Sequence, residues 1–103
     1  MGYAVTEVLK LEVLSYLGYT EDCRESIKKE VNGFIKKAVY RLNEIAGAEV
    51  DYDTDLFARE LLNDYCRYLK AGASASFEDD YQSKLNSLHL NYRVKEFQDN
   101  AEN

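Results

Sequence analysis

The chain has 103 residues, of which 46% are hydrophobic and 31% charged, with no proline, five glycines and a net charge of −6. That length makes one domain with a modest core, and the composition is that of a globular chain. The acidity argues against a surface that grips nucleic-acid phosphates. It is also uneven: residues 48–103 hold six bases against twelve acids, whereas 21–47 hold six against five.

No apolar run approaches the ~18 residues of a membrane span, and the first residues lack the basic-then-apolar order of a secretory signal. Cys23 and Cys66 are too few for a disulfide framework. The expectation is a soluble, single helical domain over residues 1–97 with a disordered tail, 98–103.

In chain order, Thr6 caps a first short helix, 6–17, with apolar residues at 9, 13, 14, 16 and 17, and Gly18 ends it. Thr20 is the expected cap of a long second helix, 21–46. Glu21 and Asp22 suit the positive end of its dipole. Ile27, Val31, Phe34, Ile35, Ala38, Leu42, Ile45 and Ala46 recur at helical spacing, and Gly47 closes the run. A polar loop follows, and Asp53 or Thr54 caps a third helix, 54–71. Its apolar residues (Phe57, Ala58, Leu61, Leu62, Tyr65, Cys66, Tyr68 and Leu69) span about half the wheel, wider than the ~100° stripe of a surface helix. This helix is therefore expected to be central and covered on two sides. Ser76 with Asp79 resembles a capping box for a fourth helix, 77–90, carrying the stripe Phe77, Tyr81, Leu85, Leu88, Tyr92.

Residues 88–95 alternate apolar and polar, the pattern of a half-buried strand, so this stretch is open to an extended reading; if helical, it turns Leu90, Val94 and Phe97 away from the core stripe. The fold class expected is all-α, a bundle of about four helices.

The residues offer little for catalysis. His89 stands alone at a polar position, without the positioned partner a general base needs. The cysteines lack zinc-ligand spacing. Asp51, Asp53 and Asp55 begin like a calcium loop, but Leu56 stands where the loop needs glycine and Leu62 where it needs glutamate, so helix capping accounts for them better. No glycine-rich phosphate loop is present. The expectation is a protein that is not an enzyme and takes no cofactor or metal.

Binding surfaces are more suggestive. Lys29, Gly33, Lys36 and Tyr40 share the outer face of the second helix. A solvated charged face is the plain reading, yet Gly33 costs about 1 kcal/mol against alanine in a helix interior, and tyrosine is enriched at interfaces. Nine tyrosines without a tryptophan point the same way, and Tyr3, Tyr19 and Tyr52, belonging to no core stripe, are expected at the surface. Leu90, Val94 and Phe97 form the second candidate surface, to be covered either by the first helix or by a neighbouring subunit.

The order of elements around Tyr16-Leu17-Gly18-Tyr19, Glu21-Asp22, the segment Leu61-Leu62-Asn63-Asp64-Tyr65-Cys66-Arg67-Tyr68 and the segment Phe77-Glu78-Asp79-Asp80-Tyr81 with Leu85 and Leu88 resembles the small head–tail connector, or adaptor, proteins of tailed bacteriophages and prophages. The resemblance spans roughly residues 5–92. Cys66, where an aliphatic residue is usual, and the alternating C-terminal stretch depart from it. It implies a helical bundle, made in the bacterial host cytoplasm, that assembles as a ring at the virion neck beneath the portal protein. There it would extend the DNA channel without binding DNA specifically and offer a docking surface to a tail-completion protein. Two other classes compete: a small helical DNA-binding or antitoxin-like regulator, and an accessory domain of an enzyme.

Overall fold

The computed structural model describes the backbone of residues 6–102 and the side chains of residues 6–98. Its described residues form five helices and no strand: α1 (Glu7–Tyr16), α2 (Glu25–Ala46), α3 (Leu56–Lys70), α4 (Ser74–Asp80) and α5 (Gln82–Glu102). The all-α expectation holds. None of these helices is long and apolar enough to cross a membrane.

Helices α2 and α3 pack on each other at the centre; α1 lies against both, α4 against α3, and α5 against α2. The buried face of α2 is Val31, Ile35, Ala38, Val39, Leu42 and Ala46. In α3 every residue from Leu61 to Cys66 is buried, which follows from its contacts with α1, α2 and α4 on different sides. This is the wide apolar arc expected of a central helix.

Helix starts differ from expectation because side chains that look like caps have other tasks. Thr6 does cap α1, accepting from the Leu9 N–H at 3.2 Å. Thr20 instead bonds Asp22 within a turn, and α2 begins four residues later than expected, after Arg24, without a side-chain cap. The Thr20 hydroxyl holds the Asp22 carboxyl below its ordinary range. Helix α3 is capped by Asp55 rather than Asp53 or Thr54: Asp55 Oδ1 accepts from the Ala58 N–H at 3.0 Å, and its Oδ2 accepts from the Tyr92 hydroxyl at 2.6 Å. One carboxylate thus starts α3 and ties α5 to it. Helix α4 starts at Ser74 with no side-chain cap, so Ser76 is not a cap.

The expected fourth helix is two. The break is at Tyr81 (φ −109°, ψ 15°), yet Tyr81 N–H still bonds the Phe77 carbonyl at 2.9 Å and Leu85 N–H the Tyr81 carbonyl at 2.8 Å. The helix is interrupted between these two bonds, and the stripe Phe77, Leu85, Leu88 stays buried with Tyr81 and Tyr92 at its edge. Beyond residue 90 the extended alternative does not form. Helix α5 continues through residues 88–95 and the expected tail to Glu102. A strand there would leave its backbone groups unpaired, while the helix satisfies them internally.

The 47–55 loop is tighter than its polar sequence suggests. Gly47 adopts φ 74°, the left-handed conformation that lets the chain reverse at the end of α2. Val50 and Tyr52 then turn inward and are fully buried. Asn43 Oδ1 accepts from the Tyr52 hydroxyl at 2.8 Å and the Val50 N–H at 3.3 Å. Tyr52 is thus a core residue, against the surface placement expected of it. Tyr19 is half-buried, beneath the Lys70 ammonium at 4.4 Å, and Tyr3 lies outside the described residues.

Candidate interaction surfaces

The polar chemistry of the described residues serves to clamp helices. Arg59 pairs with Glu12, Tyr16 donates to the nearly buried Asp64, and Lys70 donates to the Leu17 carbonyl at 2.7 Å. These contacts hold α1 on α3. Arg41 makes a two-pronged bond to Glu78, at 2.9 and 2.7 Å, joining α2 to α4. That contact holds the Glu78 carboxyl below its ordinary range. His89 is exposed, and its Nδ1 lies 2.9 Å from the Ile45 carbonyl, a suitable partner for a ring N–H at the end of α2. No group of three or more His, Cys, Asp or Glu among the described residues is arranged to hold a metal ion. Asp51 and Asp55 act within the loop and cap: Asp51 Oδ1 accepts from the Asp53 N–H at 3.0 Å.

An aromatic cluster fills the junction of α3, α4 and α5. Phe77 stands 4.3 Å from Tyr65, 5.3 Å from Tyr68 and 4.5 Å from Tyr81 between ring centroids. An open hollow beside it is lined by Tyr68, Asp80, Tyr81, Ser83 and Lys84. The phenols share a shift. Hydrogen bonding to Asp64 raises Tyr16, and bonding to Asp80 raises Tyr68. Burial raises Tyr65, Tyr81 and Tyr92, the last also through Asp55. Burial also pushes the Cys66 thiol up to about 12.

In each case the folded state favours the neutral form. Their contribution to stability is complete below the unfolded values, about 8.5 for the thiol and about 10 for the phenols, and is lost as pH rises through the folded values. The protein is expected to keep its helical circular-dichroism signal to about pH 10 and lose it cooperatively above, together with a steep rise in phenolate absorbance. Phenols titrating independently near pH 10 with the helices intact would contradict this.

The two surfaces proposed from sequence are both uncovered. Lys29, Lys36 and Tyr40 are exposed and Gly33 is half-exposed on the outer face of α2. Tyr40 is 72% exposed. It is also the one tyrosine among the described residues with no hydrogen bond, ring contact or cation contact; the other seven are all engaged. Leu90, Val94 and Phe97 are 59%, 55% and 76% exposed. Helix α1 packs chiefly on α2 and α3, and at these exposures it does not cover them. From Arg93 to Gln98 every residue of α5 is exposed. The two faces are on different helices and are not one continuous patch in sequence: one is mid-α2, the other the far half of α5.

Three further exposed apolar side chains, Val8, Leu11 and Leu56, were missed from sequence. The signal was present in their absence from any core stripe.

No family model matches this chain, and neither a curated protein nor a solved structure matches it.

Proposed function

We propose that this protein is an assembly adaptor that binds copies of itself, in the manner of the phage head–tail connectors its sequence resembles. It would form a ring beneath a portal protein, pass DNA through without gripping it, and present a surface to a tail-completion protein. The observation that carries the reading is the uncovered stripe of Leu90, Val94 and Phe97 on a helix that runs beyond its own bundle. Isolated helical segments of two or three turns are marginal in water, and tertiary packing normally stabilises them. Large apolar side chains left in water at such a segment are the kind of surface a protein partner covers. The net charge of −6 fits a channel wall along which DNA slides, because like charge prevents adhesion.

Native mass spectrometry across concentration, alone and with portal protein, tests this reading. Species of many copies are expected, and Leu90→Asp with Phe97→Asp should abolish them while the helical signal persists. A chain that stays monomeric alone and with portal would refute the reading. The exposed lysines of α2 make the regulator alternative concrete. Salt-dependent binding to duplex fragments, lost in Lys29→Gln with Lys36→Gln, would favour that alternative.

A further inference from the structure

We propose that α4 is a lid over the aromatic cluster of α3, hinged at Tyr81, and that it opens when α4 and α5 join into one continuous helix. The lid is independent of self-association.

Sharp kinks in helices normally fall at a proline, a glycine, a π-bulge or an inserted group. From Glu78 to Lys84 there is neither proline nor glycine, and Tyr81 makes α-helical bonds to Phe77 and Leu85. The stripe Phe77, Tyr81, Leu85, Leu88, Tyr92 runs through the bend at the spacing of a single helix. Three rungs are nevertheless missing. The N–H groups of Gln82, Ser83 and Lys84 meet no backbone acceptor among the described residues. A joined helix pairs them with the carbonyls of Glu78, Asp79 and Asp80. It also sets Asp80 beside Lys84 as an i,i+4 ion pair. Local sequence therefore favours the joined helix, and tertiary contacts impose the bend.

Those contacts are few, and they act on α4. The Tyr68 hydroxyl donates to Asp80 at 2.7 Å, at the surface. Arg41 grips Glu78 with two bonds. Phe77 packs among Tyr65, Tyr68 and Tyr81. Helix α5 is held separately, on α2 and at the α3 cap: Leu85 and Leu88 are buried, His89 meets the Ile45 carbonyl, and Tyr92 bonds Asp55. So α4 is the part that moves. It has seven residues, no side-chain cap and one buried side chain.

The path is short. Tyr81 sits at φ −109°, ψ 15°, in the bridge region adjoining the helical one, so completing the ladder crosses no forbidden conformation. Burial of Phe77 keeps the closed form dominant. On the joined helix Phe77 shares the face of Leu85 and Leu88, so opening does not turn it to the solvent side. What opening uncovers is the α3 surface of Tyr65 and Tyr68.

Backbone amide relaxation dispersion on the full chain tests the lid. An open form of about one molecule in a hundred is expected, with exchange confined to α4 and the residues up to Leu85. Tyr68→Phe removes the surface latch and should raise that population about fivefold, the worth of one hydrogen bond. Arg41→Gln should act in the same direction. Lys84→Glu should lower it about threefold, because the joined helix then sets two acids side by side while the closed form gains an acid in the first turn of α5. Absence of exchange at the junction in all four proteins would overturn the lid. So would exchange that spreads equally through α2 and α3, or a Lys84→Glu population that rises with the latch variants.

Discussion

Replacing Phe77 by alanine is expected to cost about 3–5 kcal/mol, the range for removing a fully buried aromatic side chain. Phe77 is fully buried and is the one buried residue of α4. That helix has seven residues and no side-chain cap, so besides Phe77 it is held by the polar contacts of Glu78 with Arg41 and of Asp80 with Tyr68. The substitution opens a cavity among Tyr65, Tyr68 and Tyr81 and loosens the bend at Tyr81 that aims α5. In a domain this small, such a loss lowers the melting temperature by on the order of 20 °C. Calorimetry or urea unfolding reads the stability, and near-ultraviolet circular dichroism of the tyrosines reads the cluster. A loss below about 1 kcal/mol would mean that the site collapses around the smaller residue.

Asn43→Ala should cost about 2–3 kcal/mol, although Asn43 belongs to no apolar stripe. Its side-chain oxygen accepts from both the Tyr52 hydroxyl and the Val50 N–H, and a buried group deprived of its partner costs about 1–3 kcal/mol. Tyr52→Phe removes only one of these bonds and should cost about 1 kcal/mol. Amide exchange at Val50 should accelerate in Asn43→Ala and stay slow in Tyr52→Phe. Equal stability of the two variants would show that the Asn43–Val50 bond contributes nothing.

The legible part of this fold was its periodicity. Apolar residues of α2 and α3 recur at helical spacing, glycines close α1, α2 and α3, and the wide arc of α3 marks it as central. The two candidate surfaces were legible for the same reason: Tyr40 and the Leu90–Phe97 stripe fall on faces opposite a core stripe. Capping was less legible because aspartate, threonine and serine are common near every helix start. Thr20 prefers its own turn with Asp22, and Asp55 is selected over Asp53 because it also meets Tyr92, 37 residues away.

Local pattern determined that this protein is all-α, the core faces of α2 and α3, and the apolar stripe left over on α5, since helical spacing alone sorts side chains onto faces. Tertiary structure decided the rest. It drew Val50 and Tyr52 inward by giving them the Asn43 acceptor. It bent the chain at Tyr81, where rings from α3 and α4 meet. It carried α5 past the alternating stretch at 88–95. Short-range alternation fits a strand or a helix equally well; with no neighbouring strand to satisfy the backbone, the helix satisfies its own, and Leu90, Val94 and Phe97 remain facing water.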